Sequence, residues 1–343
     1  MIISIDDFFK LRAALPIVDV RSEGEFEAGH IKQAVNIPLL NNSERKAVGT
    51  DYKEKGQKEA IKTGFRLVGP RLVEIILEAD KVAVDKEMIV HCWRGGMRSS
   101  NFCQFVGMNG IKTHQLAGGY KAYRGAAQEE FKKPFSFVVI GGCTGSGKSE
   151  IIRALARHGE QVIDLETLAN HNGSVFGGLM MDSPQPTSEQ FQNNLFEEIL
   201  QLDVNRRIWI EDESISIGQT FLPNDFWTTL HASPVIEVEM EKTTRINRLV
   251  KEYGKADKKE FLLAMERITK KLGGQNFKAA KEKLLQGDMF STIEILLMYY
   301  DKAYLNGLEK KKHRIKSSIR WDGKNVNSFV EDLATKKVPV PTS

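Results

Sequence analysis

Two short stretches of this chain combine residue types that handle anions. Cys92-Trp-Arg-Gly-Gly-Met-Arg98 places a thiol inside a glycine- and arginine-rich turn, a setting that favours the nucleophilic thiolate. Cys92 is therefore the candidate nucleophile, with Arg94 and Arg98 as its surrounding cations. Gly142-Cys-Thr-Gly-Ser-Gly-Lys-Ser149 fits the phosphate-cradling pattern G-x-x-x-x-G-K-[ST] at every fixed position. In such a loop the backbone N–H groups, here from Gly142, Thr144, Gly145, Ser146 and Gly147, surround phosphate oxygens. Lys148 adds a point charge, and Ser149 can ligate Mg2+. Either stretch alone indicates only a broad class. Together they imply that one molecule handles both a sulfur-type nucleophile and a phosphorylated group.

An ion at Ser149 calls for an acidic partner. Asp212, at the end of the apolar run Ile208-Trp-Ile210, is the best placed, with Glu211 as its rival. Asp164 follows Val162-Ile163, where small-substrate kinases with this loop often carry a base. Arg245 and Arg248 stand i, i+3 on one helix face, positioned to close over phosphates, to touch RNA, or simply to be solvated.

These side chains need strand ends to hold them. Ile17–Val20 and Met88–His91 read as buried strands, the second delivering Cys92 at its C-terminal end. Arg98 to Val106 then carries apolar residues at helical spacing. A thiol in a strand-to-helix loop sits where backbone N–H groups and the helix dipole both favour an anion. Phe135 to Ile140 is a second buried strand, running directly into the phosphate loop, and Ser149 to His158 is helical in pattern. Strands alternating with helices imply α/β architecture with parallel sheets. Gln128-Glu-Glu-Phe-Lys-Lys-Pro134 is polar and ends in proline, which marks a boundary. The expected organisation is a domain over residues 1–128, a linker over 129–134, a phosphate-loop domain over 135–240, and a basic helical region over 241–343 packed on it. Phe290 to Tyr304 is the clearest amphipathic helix, and the tail from Lys336 looks loosely ordered.

The 343 residues suffice for two domains with their own cores. No apolar stretch approaches the roughly 20 residues needed to span a bilayer, and the N-terminus lacks the basic-then-apolar pattern of a secretory signal. Three cysteines do not make a disulfide framework. The cytoplasm, with no membrane partner, is the expected location. Net charge is +4 overall, but residues 242–320 hold 20 Lys and Arg against 9 Asp and Glu. That surplus of +11 leaves −7 for the rest of the chain. Such asymmetry points to nucleic acid as the partner of the C-terminal third, or else to an ordinary solvated helical face.

Asp19-Val-Arg21, Glu25, Gly29-His-Ile31 and Asn36-Ile-Pro38 come in order ahead of Cys92, and Leu116-Ala-Gly-Gly-Tyr120 follows it. This series resembles the signature of rhodanese-type sulfurtransferase domains and covers about the first 125 residues. The resemblance implies that Cys92 carries sulfur or selenium. Five residues, Trp93 to Met97, separate Cys92 from Arg98, where many sulfur-carrying rhodanese loops have four. The loop therefore also resembles the C-x5-R loop of cysteine phosphatases, and a wider ring of N–H groups suits a tetrahedral oxyanion. Cys103 reads as a small core residue, and His30 and His91 as structural hydrogen-bonders.

Further blocks extend the likeness. Asp164-Leu-Glu-Thr-Leu-Ala-Asn-His171, Trp209-Ile-Glu-Asp-Glu-Ser214, Leu272-Gly-Gly-Gln275, Gly287-Asp288 and Tyr299-Tyr-Asp301 accompany the two loops. From Asp19 to about Tyr304 the chain resembles the family of tRNA 2-selenouridine synthases. That implies a rhodanese-like domain followed by a P-loop NTPase-like parallel-sheet domain with a C-terminal basic helical region. It also implies a transferase acting on the wobble 2-thiouridine in the anticodon stem-loop of tRNA. In that chemistry sulfur is first alkylated from geranyl diphosphate, and the S-geranyl group is then displaced by selenium from selenophosphate. Cys92, Arg94 and Arg98 would serve the selenium donor, and Gly142 to Ser149 would hold the prenyl diphosphate. No tightly bound cofactor is implied, and Mg2+ at Ser149 stays open. The alternative is a rhodanese- or cysteine-phosphatase-like enzyme fused to a small-molecule P-loop kinase.

Overall fold

The computed structural model describes residues 1–179, 181 and 183–336, without the side chains of 310 and 311. From residue 337 on, the tail read as loosely ordered lies outside the described residues. The chain divides into two compact units, Met1–Glu130 and Phe131–Ser343. Helix Gly119–Glu130 runs through the start of the linker expected over 129–134. Phe131 is fully buried against the rings of Phe196 and Phe226. Phe131, within the span expected as linker, is thus a core residue of the second unit.

The first unit is built on a parallel five-stranded sheet. Its order is Ile2–Ile3, Lys112–Leu116, Glu87–His91, Ile17–Asp19 and Val35–Asn36. The central strand Glu87–His91 is apolar through Met88, Ile89 and Val90, all fully buried, as expected for a parallel strand covered on both faces. Helix Met97–Met108 follows it. Between the strands Val35–Asn36 and Glu87–His91 the chain adds a helical hairpin, Asn42–Glu54 and Gln57–Val68. Its first helix begins at a capping box: the Asn41 side chain accepts from the Glu44 N–H while Glu44 accepts from the Asn41 N–H, satisfying two otherwise orphaned donors.

The second unit carries another parallel sheet, ordered Ile315–Arg320, Val235–Glu239, Phe137–Gly141, Ile208–Glu211 and Val162–Ile163. Its first strand in the chain, Phe137–Gly141, is central and feeds the loop before helix Lys148–Arg157. Later strands are added on both sides of it, so the crevice at its C-terminal end is the natural ligand position. Helices Lys242–Tyr253, Lys258–Glu266, Gly274–Leu285 and Met289–Lys311 share one apolar core, including Phe261, Met265, Leu284 and Leu297.

The C-terminal region is not helical throughout, because Ile315–Arg320 is an edge strand beside Val235–Glu239. Helix Val326–Thr335 then places Val330 and Leu333 in the core shared with Ile151, Ile152 and Leu155 of helix Lys148–Arg157. Ile315, Ser317 and Ile319 are less exposed than Lys316, Ser318 and Arg320, an alternation with period two that the surrounding basic residues mask in the sequence. Among the described residues, no helix is long and apolar enough to cross a membrane.

Candidate functional site

Cys92 closes the central strand of the first unit and is only 3 % exposed. Its sulfur lies 3.2 Å from the Ser99 hydroxyl, which also reaches the Gly96 carbonyl at 3.1 Å. Gln115, on the neighbouring strand, donates to the Ser99 oxygen at 3.0 Å and to the Gly95 carbonyl at 2.8 Å. Burial opposes ionisation of Cys92. The Ser99 hydroxyl and N–H, the Arg94 N–H and the Arg98 charge outweigh that penalty, so the thiol titrates below its ordinary value. Cys103 and Cys143 lack such a set, and burial pushes both upward. Of the two thiols of the first unit, Cys92 is the one whose surroundings favour the thiolate.

The surrounding signature residues build the frame of this loop. Gly119 adopts φ +57°, and a Cβ there would lie 2.2 Å from the Cys92 carbonyl oxygen, which only glycine avoids. Helix Gly119–Glu130 can then turn its first N–H groups on the loop: Tyr120 donates to the Cys92 carbonyl at 2.8 Å and Lys121 to that of Trp93 at 2.9 Å. Arg21 is fully buried, paired with Asp19 at 2.6 Å, donating to the Gly29 carbonyl at 2.7 Å and lying 3.9 Å over the Tyr120 ring. His91 is buried 3.8 Å from Asp19, and burial lowers its pKa. It stays neutral and structural. His30 is stacked on Phe26 and bonded to the Phe26 carbonyl.

Arg98 does not stand free beside the sulfur. Its guanidinium makes a two-pronged pair with Glu25 at 2.5 and 3.2 Å, and Arg45 joins the same carboxylate at 2.9 Å. Burial favours protonation of Glu25, but Arg98, the Ser22 N–H and Arg45 together hold it below the usual carboxylate range. An acid so firmly ionised at neutral pH cannot protonate a leaving oxygen, which removes it as the general acid a phosphatase needs.

In the second unit the loop Gly142–Gly147 turns through positive φ at Gly142, Gly145 and Gly147. A Cβ on Gly147 would meet Trp321 at 2.6 Å and the Arg248 guanidinium at 2.9 Å. Lys148 folds back to the Gly142 carbonyl at 3.3 Å. Ser146 is fully buried with an unpartnered hydroxyl. Thr144 offers its carbonyl to Arg245 at 3.1 Å.

The acidic residues are arranged differently from the sequence reading. The Ser149 hydroxyl donates to Glu166, a residue not singled out there. Asp212 instead places its carboxylate by Gly141, next to the Tyr304 phenol. Asp164 caps helix Leu165–Ala169 by accepting from the Thr167 N–H at 2.8 Å, and pairs with Arg153 at 2.8 Å. Glu211 is fully buried behind this corner and accepts from the Leu165 N–H at 3.0 Å, while its second oxygen has no partner. Burial, then the charges of Asp164 and Glu166, raise Glu211 well above the ordinary carboxylate value. Burial also raises Glu166, against the Ser149 hydrogen bond and the Lys148 charge. The only sequence signal for Glu166 was its place two residues after Asp164 in the block Asp164 to His171.

The two arginines serve different ends. Arg245 is 6 % exposed and gripped by Asp301 through two bonds of 2.8 Å, so it braces the loop from behind rather than meeting RNA. Arg248 pairs with Glu150, lies 5.1 Å over Trp321 and stays beside Gly147, within reach of an anion in the loop.

Comparison with known proteins gives the same two parts. A family described as "Rhodanese-like domain" matches residues 5–126, and one described as "tRNA 2-selenouridine synthase AAA domain" matches residues 135–337. A protein of Nitrosomonas europaea named tRNA 2-selenouridine synthase is 31% identical, over 96% of this chain and 98% of its own length. Relatives of the same name from a Sulfurovum species and from Bdellovibrio bacteriovorus are 34% and 35% identical, covering 92% and 87% of this chain and 94% and 90% of theirs. On this full-length likeness, the chain belongs to the tRNA 2-selenouridine synthase family.

Proposed function

We infer that this protein converts 2-thiouridine in tRNA to 2-selenouridine, in two stages served by its two loops. The observation that carries the reading is the likeness to the named synthases, which runs through both units and includes both loops. In the first stage the thiocarbonyl sulfur attacks geranyl diphosphate, and diphosphate leaves. A leaving diphosphate needs a positive cradle, which Gly142 to Ser149 with Lys148 would supply. In the second stage selenium from selenophosphate attacks C2, the S-geranyl group leaves as geranylthiol, and water takes up the phosphoryl group as phosphate. A thioether-like sulfur departs from C2 more readily than a thiocarbonyl, which gives the prenylation its chemical purpose. Cys92, as nucleophile or selenium carrier, and Arg94 and Arg98 beside it, would receive the tetrahedral donor.

Mg2+ fits the second unit. It typically takes one or two protein oxygens and completes its shell with phosphates and water. Ser149 and Glu166 would hold it, and the unpartnered oxygen of buried Glu211 lies behind them. The ion would supply charge neutralisation at the diphosphate. Exposed Lys258, Lys259, Arg267, Lys270 and Lys271 on the C-terminal helices would hold the tRNA backbone.

The test is nucleoside mass spectrometry of thiolated tRNA incubated with protein, geranyl diphosphate and selenophosphate, each donor omitted in turn. S-geranyl-2-thiouridine without selenophosphate, and 2-selenouridine with both, is the expected result. Selenouridine formed without geranyl diphosphate would defeat the two-stage scheme.

A further inference from the structure

The helical hairpin Asn42–Glu54 and Gln57–Val68 does not pack closed on the first unit. Between it and helix Met97–Met108 lies a half-open pocket with a cavity volume of about 150 Å³. Leu39, Val48, Ile61, Val68 and Phe105 give it a hydrocarbon lining. Its polar contributors include Arg98 and Asn101, in the first turns of the helix that follows the Cys92 loop. Tyr52, Phe65 and Met97 at this site remain 60 %, 55 % and 49 % exposed, a large apolar outlay for a surface without an occupant. The pocket and the Cys92 loop are thus adjacent and share Arg98.

We propose that this pocket binds a linear ten-carbon prenyl chain, holding it beside Cys92 while selenium replaces sulfur. The proposal rests on the two-stage reading above. An extended apolar chain ending in a reacting sulfur needs a hydrocarbon slot that opens next to the selenium donor, and this pocket provides it. Arg98, which lines the pocket, is held by Glu25. A second apolar cavity of about 20 Å³, beside Thr144 in the other unit, is walled by core side chains such as Phe261 and Leu296, 1 % and 3 % exposed. It is the smaller of the two, packing space within the helical core.

Gly64 lines the first pocket within helix Gln57–Val68, at ordinary helical backbone angles. A Cβ there meets only Val48, at 3.9 Å. Gly64→Leu therefore fills the slot while favouring the helix. Ala60→Leu, one turn earlier and also lining the pocket, is a second filling variant.

The experiment uses full-length protein and two reactions. One takes RNA already carrying S-geranyl- or S-dimethylallyl-2-thiouridine with selenophosphate. The other takes 2-thiouridine RNA with geranyl or dimethylallyl diphosphate. For native protein, kcat/KM in the first reaction should favour the ten-carbon chain, by up to on the order of a thousandfold if all five extra carbons are buried, since each buried methylene is worth about fourfold. Either filling variant should cut that preference at least about tenfold by slowing the long chain and sparing the short one. A matching change in the second reaction would assign the slot to the donor's chain as well, and its absence to the S-prenyl intermediate alone. Unchanged chain-length preference in both reactions, with both variants active, overturns the proposal. Equal loss of both chain lengths in both variants overturns it too, since a slot for the distal carbons cannot affect a five-carbon chain equally. Failure of the two-stage reading looks different: native protein would form no S-geranyl product at all.

Discussion

The Ser99 hydroxyl sits 3.2 Å from the sulfur of Cys92, at the start of helix Met97–Met108. It is itself held by Gln115 from the adjacent strand. This donor chain, more than either arginine side chain, sets the ionisation of the loop thiol. Ser99→Ala removes the first donor, so the Cys92 pKa should rise and the thiolate fraction near neutral pH should fall. Alkylation of Cys92 by iodoacetamide at pH 7 should slow about three- to tenfold. The two proteins should converge at pH 10. Site-resolved mass spectrometry separates Cys92 from Cys103 and Cys143, and equal rates at pH 7 would show that Ser99 does not tune the thiol.

The division of labour between the loops can be read one step at a time. Arg98→Ala should raise KM for selenophosphate about ten- to hundredfold, the scale of one charge-assisted hydrogen bond. Geranylation by this variant should stay within about twofold of native protein, a difference below that scale. Lys148→Ala should do the reverse, impairing geranylation at limiting geranyl diphosphate while still converting pre-geranylated RNA. Crossed effects would mean that the donors are assigned to the wrong loops.

The buried Glu211 makes a prediction about pH and stability. Its carboxyl is raised in the folded protein, so the native state binds more protons than the unfolded chain above the ordinary value of 4.5. Stability should therefore decline as pH rises from that value toward the raised one. Glu211→Gln keeps an acceptor for the Leu165 N–H and removes this titration. Its melting temperature should fall less than that of native protein between about pH 5 and pH 8, as measured by scanning fluorimetry. Parallel curves would mean that Glu211 is not the group responsible.

Binding of tRNA should be steeply salt-dependent if the exposed basic residues on the C-terminal helices meet phosphates. Replacing Lys270 and Lys271 with Glu should weaken filter-binding affinity for thiolated and unthiolated tRNA alike. It should also flatten the log–log salt slope by roughly 0.7–0.9 for each phosphate that is no longer neutralised. An unchanged slope would place the RNA elsewhere.

The sequence by itself determined the two anion loops, their strand-to-helix settings and the parallel α/β character of both units. Those features are local: glycines with special backbone angles, an apolar run before them and a helical pattern after them. Tertiary structure decided who stands opposite. Successive residues of a strand point to opposite faces, so the register of Ile208–Glu211 beside Phe137–Gly141 places Glu211 and Asp212 in different surroundings. That register, with the turn into helix Leu165–Ala169, brought Glu166 rather than Asp212 to Ser149. Likewise Glu25 and Arg98, 73 positions apart, meet only because they follow the paired strands Ile17–Asp19 and Glu87–His91. Ile315–Arg320 became a strand because Val235–Glu239 had an open edge to pair with, a long-range choice that a basic, helix-like neighbourhood could not reveal.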